Sequence, residues 1–438
     1  MTNQERIQAR IKRDKERRMK KRIERNKECD NYDTFTTMDK YYHSLKKCQK
    51  GTMWKGKPQR YCMAPFTNLH ITLDKVRNGI LPPLKNSKSI TIYERGKKRN
   101  IVPIAFDDRI TQRAICDNIL IPTIAPTLIY DNGASTKDKG VDFARNRTYA
   151  AVNRMVSKYG EDFYILSFDF KDFFNSIPHS TCQYVLDKAF TDKRIVKIIM
   201  DIVRSYQAAD INKIEDTKIR QDMLQKLYNN ESSGICLGSQ VSQVLALLVP
   251  NDLDHLIKDK LGMKEYIRYM DDGIIMHYDK RILHKVYETA QIMCQKLGLN
   301  FNVKKTKIVK ATKGFTFLKI KYRVSGKRII RTLTKSGTIR QRRKLKRFKR
   351  LVECGYMTYD DVFNSMQSWM PRLERAKAYH IKKNMIKLYN ELFCGYRITK
   401  KYEHLKKGGR LNDALLQSDT RWQYHWNWNN RQHESVTT

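Results

Sequence analysis

Residues 266–278 read YIRYMDDGIIMHY, and residues 163–170 read FYILSFDF. The first stretch is two apolar segments around a tight turn that carries Asp271 and Asp272. The second is a nearly continuous apolar run, the pattern of a strand buried on both faces, and Asp169 closes it. A carboxylate beside a buried strand is costly to desolvate unless it is paired or bound to a cation. Two adjacent aspartates at a hairpin tip also repel each other. Divalent cations resolve both problems, and an all-oxygen ligand set selects Mg²⁺, with Mn²⁺ as the substitute. Turn aspartates are common, and a four-residue motif alone is weak. The third carboxylate, on its own hydrophobic strand, is what makes the set specific.

Composition bounds the partners. The 438 residues carry 87 Lys or Arg against 45 Asp or Glu, a formal charge of +42. Such self-repulsion points to a polyanion, and nucleic acid is the first choice. Forty per cent of the chain is hydrophobic, which excludes wholesale disorder. The length predicts two to four modules of roughly 100–200 residues. No signal peptide is read at the start, where 12 Lys or Arg and 5 acids fill the first 28 residues. The most apolar stretch, 114–130, is broken by Asp117, Pro122 and Pro126, so no membrane partner is expected. Nine scattered cysteines without a CxxC pair predict reduced thiols, a cytoplasmic location and no zinc site.

Along the chain, residues 1–28 read as a basic helical arm. Residues 40–130 mix short strands and helices. Within them, SITIYERGKKRNIVP (89–103) predicts two strands joined by a basic turn at Gly96, and 106–121 a helix. Helices are expected over 179–190, 193–229 and 281–297, with a Gly-containing loop at 234 feeding another. Strands are expected over 305–311, 315–323 and 328–332. Three helices follow, over 336–352, 358–370 and 373–394.

In this order the motifs resemble those of reverse transcriptases, specifically bacterial ones, from about residue 50 to about 395. FDFKDFFNSI resembles the first catalytic motif of the family and RYMDDG the second. The resemblance implies an α+β right-hand polymerase fold with fingers, an antiparallel palm sheet and a helical thumb. It also implies that Asp169, Asp271 and Asp272 hold two catalytic metal ions, with the Phe170 carbonyl as a further ligand. Such a pair of ions acts by activating a 3′-hydroxyl and stabilising leaving pyrophosphate. Phe174 falls at the family's steric gate, which favours dNTPs over rNTPs. GKKRNIVP resembles the segment that grips the triphosphate, making Lys97 and Arg99 the candidates. YDNGASTKDKG resembles a template-contacting loop, with Lys137 and Lys139 as phosphate contacts.

GICLGSQVSQ (234–243) resembles the loop that stacks under the nascent base pair. Cys236 and Leu237 replace the first two residues of the usual Pro-Gln-Gly core, and only Gly238 is retained. That departure, with the downstream Asn251-x-Leu-Asp254, resembles diversity-generating retroelement polymerases and antiphage-defence-associated relatives. NVKKTKI resembles the next palm motif, where Lys305 is the candidate general acid and Lys304 an equally placed neighbour. FTFLKI resembles the primer-grip strand, with Lys319 where a glycine is expected.

Residues 301–350 hold 20 Lys or Arg and no acid. Inert surfaces mix their signs, so this block reads as a phosphate-binding thumb. Arg342, Arg343, Lys346 and Arg347 lie on a helix whose apolar side is Leu345, Phe348 and Leu351. The Trp-rich end (Trp422, Tyr424, His425, Trp426, Trp428) reads as a satellite core, an interface or a base-stacking tail. The expected organisation is a basic arm at 1–40, fingers at 41–160, palm at 161–325, thumb at 326–396 and tail at 397–438.

The expected function is RNA-directed DNA synthesis. The partners are a structured non-coding RNA template, a DNA primer or product and dNTPs, with room for a homo-oligomer or a small accessory protein. Antiphage defence ranks first as the setting and a diversity-generating retroelement second. Retron and group II intron enzymes rank lower, because no VTG element and no clear maturase or HNH module is seen. Two other classes stay open: a non-catalytic RNA-binding protein that keeps the fold, and template-independent or protein-primed synthesis.

Overall fold

A computed structural model describes residues 28–79, 90–94, 97–101, 103–376 and 378–393, with isolated positions before 28. The basic arm up to residue 27 and the Trp-rich tail lie outside the described residues. The chain divides into two units, Met1–Leu318 with Tyr322–Ile330, and Lys319–Lys321 with Arg331–Thr438. Each has its own apolar core.

After a one-turn helix, Tyr32–Phe35, the larger unit has three helices, α1 (Met38–Gln49), α2 (Gly56–Met63) and α3 (Pro65–Arg77). A hairpin follows, β1 (Ile90–Glu94) with β2 (Lys97–Ile101), where a basic turn was expected. Helix α4 (Phe106–Ile115) runs on through a π segment, Cys116–Leu120, and a last turn, Ile121–Ile124. The region expected to mix strands and helices is thus mainly helical. Helix α5 (Val141–Tyr159) leads into the central sheet.

That sheet has the order β4-β5-β3-β6, with β3 at Tyr164–Asp169, β4 at Tyr266–Tyr269, β5 at Asp272–His277 and β6 at Lys307–Lys310. All three pairings are antiparallel. Strand β3 lies between two neighbours, which explains its unbroken apolar sequence: Ile165, Leu166 and Phe168 are all buried. Helices α5 and α11 (Lys280–Lys296) pack against this sheet. Leu283, Val286, Ala290 and Cys294 give α11 its buried stripe at helical spacing, and Asp279 caps its first turn.

Between β3 and β4 the chain forms α6 (His179–Ala189), α7 (Lys193–Ile211), α8 (Thr217–Tyr228), α9 (Gln240–Leu248) and α10 (Asn251–His255). One long helix was expected over 193–229. It is two, because Asp216 accepts from the Lys218 and Ile219 amides and starts α8 afresh. The strand expected over 315–323 is also interrupted. Leu318 and Lys319 have φ of 46° and 70°, which separates β7 (Phe315–Phe317) from β8 (Ile320–Ser325). Left-handed backbone costs an L-residue roughly 1–2 kcal/mol, and Lys319 adopts it where the primer-grip resemblance implies a glycine.

In the smaller unit α12 (Lys335–Glu353), α13 (Tyr359–Trp369) and α14 (Tyr379–Leu392) enclose Leu345, Met366, Met385 and Tyr389. The helix expected over 373–394 is two pieces, Pro371–Arg375 and α14.

The deepest polar contact in the larger unit joins β4 to α10. Arg268 and Asp254 are both 0% exposed and paired at 2.7 Å, and Tyr266 donates to Asp254 Oδ1 at 2.6 Å. Removing one partner strands a buried charge. Asp254→Ala should therefore cost about 3–5 kcal/mol in urea unfolding. Lys188→Ala, which breaks an exposed pair with Asp252, should cost less than about 1 kcal/mol.

Candidate active site

The ladder between β3 and β5 places Asp169 directly opposite Asp272, with Phe168 opposite Gly273. A Cβ on Gly273 would run into the Phe168 ring, so the glycine is what lets the two strands close. Tyr269 pairs with Asp272, leaving Met270 and Asp271 as a two-residue hairpin loop. Met270 has φ 54°, a conformation that such tight loops require.

Three hydrogen bonds hold this loop and the end of β3. The Phe170 amide donates to the Asp271 carbonyl at 3.2 Å. The Asn302 amide donates to the Asp169 carbonyl at 2.7 Å. The Arg268 guanidinium donates to the Met270 carbonyl at 2.9 Å.

Electrostatically the cluster is loaded. Burial, then the charges of Asp271 and Asp169, push the Asp272 carboxyl up to about 7. Lys305 answers with Nζ 2.6 Å from Asp169 Oδ2. Burial opposes the Lys305 charge, but Asp169, Asp272 and Asp271 together raise its pKa. Lys304 and Lys305 are both exposed, and it is the Lys305 contact to Asp169 that separates the two lysines that spacing left equal.

Phe174 follows on a one-turn helix, Phe173–Ser176, half-buried and edge-on to Phe173 at 5.7 Å. Its carbonyl accepts from the Ile235 amide at 2.7 Å, so the structure brings Phe174 to the loop that carries Leu237 and Gly238. Gly234 and Gly238 both have φ of 107°, and a Cβ on Gly234 would press the Asn175 carbonyl. A Cβ on Gly238 would touch Ile101 Cγ2 at 3.6 Å, so the end of β2 reaches this loop. Lys97 and Arg99 lie on β2 opposite Glu94 and Ile92, and their side chains lie outside the described structure.

Residues 131–133 join β4 through the Asn132–Arg268 bridge. Lys137 in the following turn is exposed. Lys139 is turned inward, donating to the Tyr130 carbonyl at 2.8 Å and lying over the Tyr130 and Phe143 rings.

Residues 84–322, more than half of the chain, match the family model described as reverse transcriptase (RNA-dependent DNA polymerase). The chain belongs to the reverse transcriptase family. That membership makes it a nucleotidyltransferase, and its helices and antiparallel sheet are those of the right-hand polymerase fold. No curated protein matches the sequence.

Three solved telomerases are similar to this reverse transcriptase. Apo telomerase from Candida tropicalis truncated from its C-terminal domain is 15% identical, covering 57% of this chain and 55% of that chain, with a TM-score of 0.39. Telomerase from Candida albicans, in complex with a TWJ fragment of telomeric RNA, is 14% identical over 74% and 58%, with a TM-score of 0.41. Apo telomerase from Candida tropicalis is 13% identical over 74% and 61%, with a TM-score of 0.37.

In the smaller unit Arg342, Arg343 and Lys346 line a cleft of about 530 Å³ with Asn384, Lys387 and Glu391 of α14. Arg347 is exposed on the same helix, Leu345 is buried, and Phe348 and Leu351 are half-buried as expected. Lys319 is exposed at the left-handed turn before β8.

Sequence reading missed Arg268, Gln112, Tyr206 and the anchoring role of Ser239. Gln112 is buried on α4, donates to Tyr206 Oη at 2.9 Å and accepts from Ser239 Oγ at 3.0 Å, fastening the loop ahead of α9. A charged residue inside an apolar strand was the available signal for Arg268. Nothing in the sequence pattern marks Gln112.

Reverse transcriptases use divalent metal ions. The residues present fit them, because Asp169 faces Asp272 across the ladder and the crowded, buried Asp272 carboxyl has a raised proton affinity, as a donor set short of positive charge does. Among the described residues no three acidic, histidine or cysteine side chains already converge as a cage. An ion arriving at Asp169 would have to displace the Lys305 ammonium. Asp272 binds its proton more tightly folded than unfolded, so its share of stability is full below 3.8 and lost as pH rises to about 7. Relative to Asp272→Asn, the wild type should lose thermal stability across that window, and added Mg²⁺ should restore it above pH 7. A flat difference across the window would remove the carboxylate crowding argued here.

Proposed function

We propose that this chain copies RNA into DNA at the Asp169–Asp271–Asp272 cluster. The observation that carries the reading is Asp169 facing Asp272 across the β3–β5 ladder, with Asp271 on the adjoining turn. Asp169, Asp271, Asp272 and the Phe170 carbonyl would hold two Mg²⁺ ions. Bound there, such ions activate a primer 3′-hydroxyl and hold the leaving pyrophosphate.

The chain's own groups do the rest. Lys305 keeps its proton beside the carboxylates and supplies it to departing pyrophosphate. Phe174, held by the Ile235 amide, bars a ribose 2′-hydroxyl. Lys97 and Arg99 grip the triphosphate, since its charge calls for Lys and bidentate Arg donors. Leu237 and Gly238 lie under the nascent pair. Lys137, Lys139, Lys319, Arg342, Arg343, Lys346 and Arg347 contact nucleic-acid backbone. In this reading 41–160 are fingers, 161–325 palm and 326–396 thumb.

The template is a dedicated structured non-coding RNA and the setting bacterial antiphage defence, in the cytoplasm. Supporting the location, Cys182 and Cys294 are buried unbridged thiols, and among the described residues no helix is long and apolar enough to cross a membrane. A second reading, error-prone synthesis in a diversity-generating retroelement, is favoured by Leu237 where the family's loop carries a polar glutamine.

Primer extension on an RNA template tests the core of the proposal. Asp271→Ala should abolish it, and undiminished extension would sink the catalytic assignment. Lys305→Ala should lower turnover by about 10²–10⁴-fold while Lys304→Ala changes it little. Phe174→Ala should raise rNTP use relative to dNTP by about 10-fold or more. Sequencing the RNA bound in cells and the DNA made from it separates the two settings. DNA copied from one segment of a bound RNA supports defence, and adenine-biased errors written into a target gene support the second.

A further inference from the structure

Residues 40–73 contain seven Lys or Arg and no Asp or Glu. They form α1, the turn after it, α2 and most of α3, wholly ahead of the family match that starts at 84. Within this stretch five large apolar side chains face solvent, the most open being Met63 at 83%, Trp54 at 76% and Phe66 at 60%, with Met53 and Ile71 beside them. Single exposed apolar residues need no explanation, but a group on one small helical layer does. Helix α3 already buries Leu69, Leu73 and Val76 in the core, so Phe66 is apolar surface left over after packing.

Trp54 and the Phe66–Tyr42 pair each carry a cation, over the Trp54 ring in one case and over the Tyr42 ring in the other. Tyr42 stacks on Phe66 with centroids 5.4 Å apart and planes 11° from parallel. Lys46 Nζ lies 5.1 Å from the Tyr42 ring centre. Lys55 Nζ lies 4.9 Å from the Trp54 ring centre. The Trp54 indole N–H donates to the Gly51 carbonyl at 3.2 Å, which sets the plane of the ring. The turn is tied to α2 by Gln59 Nε2 donating to the Met53 carbonyl at 2.8 Å, and Met53 Sδ meets Cys62 Sγ at 4.0 Å.

Flat apolar rings interleaved with ammonium groups are the combination that binds single-stranded nucleic acid. Bases stack on the rings and phosphates meet the cations. A duplex hides its base faces and would leave the rings unused. A second copy of this chain would set seven positive charges against seven, and protein interfaces deplete lysine at their centres. RNA is the polymer that the family's reaction must hold. We propose that the α1–α3 face is a second RNA site, which stacks unpaired bases of an RNA strand on Trp54 and on the Phe66–Tyr42 pair. It goes beyond the polymerase reading and shares with it only that the chain handles RNA.

The test uses the full chain and fluorescence anisotropy with a labelled oligouridylate of roughly 20 nucleotides, longer than one stacking site. No dNTPs are present, and wild type and Asp271→Ala are compared, so failure of the catalytic reading leaves this result intact. Trp54→Ala with Phe66→Ala should weaken binding by about 10–100-fold. Lys46→Glu with Lys55→Glu should weaken it too and flatten its salt dependence. Both double variants should extend a saturating primer–template duplex at the wild-type rate, which also shows that they fold. Unchanged oligouridylate affinity overturns the proposal. So does an equal loss for the duplex. A variant that keeps its RNA affinity but loses self-association in sedimentation would show a second copy as the occupant instead.

Discussion

The β4–β5 hairpin depends on one buried guanidinium. Arg268 lies on β4 and donates to both carboxylate oxygens of Asp254, from Nε at 2.7 and 2.9 Å and from Nη2 at 2.7 Å. Its other donors reach the Leu247 carbonyl at 3.1 Å and the Met270 carbonyl at 2.9 Å. One side chain thus joins α9, α10, β4 and the turn that presents Asp271. A buried ion pair is a poor source of net stability, since well-packed apolar residues can do as well. Apolar residues cannot supply directed donors. Met270 needs one because its left-handed backbone costs about 1–2 kcal/mol. The pair is better understood as fixing the direction in which the turn carbonyl and its neighbouring aspartate point.

The acids of the larger unit fall into two kinds by this measure. Asp254 has Arg268, and Asp131 has Arg147 and Lys258, each at 2.6 Å. Burial would raise the Asp131 carboxyl, but those two hydrogen bonds outweigh it and hold it below the ordinary range. Asp272 is the opposite case. Its near neighbours are other carboxylates, and its proton affinity rises. In a chain of net charge +42 a shortage of cations at one point is informative. Asp131 and Asp254 are neutralised by cations of the chain itself, whereas Asp272 sits among carboxylates that raise its proton affinity. The Lys305 contact to Asp169 offsets part of that crowding and marks where positive charge is wanted.

How much of this the sequence showed depended on whether a feature was local. Strand β3 was legible because a strand buried on both faces writes itself as FYILSFDF. The β4–β5 hairpin was legible because its tip carries two adjacent aspartates between apolar segments. Helix α11 was legible from its stripe. The break between α7 and α8 was not, because Asp216 looks like any helical surface acid until its side chain takes two amides. The split at Leu318–Lys319 was not, because neither residue advertises a left-handed backbone. The partner of Arg268 was beyond reach for a different reason. Asp252, Asp254 and Asp259 all lie nearby in sequence, and only the packing of α10 against the sheet decides which of them is buried.

The loop of 234–238 shows how a departure from a family pattern can be contained. Its backbone is fixed on one side of Leu237 by the Gly234 amide, which donates to the Ile177 carbonyl at 2.8 Å, and by the Ile235 bond to Phe174. On the other side Ser239 Oγ accepts from the Ser242 amide at 3.2 Å and donates to Gln112, itself held by Tyr206. None of these anchors uses the side chain at 237. Exchanging a polar residue for leucine there leaves every one of these anchors in place. Lys319 follows the same logic, since the strain of its backbone is confined to a two-residue turn between strands.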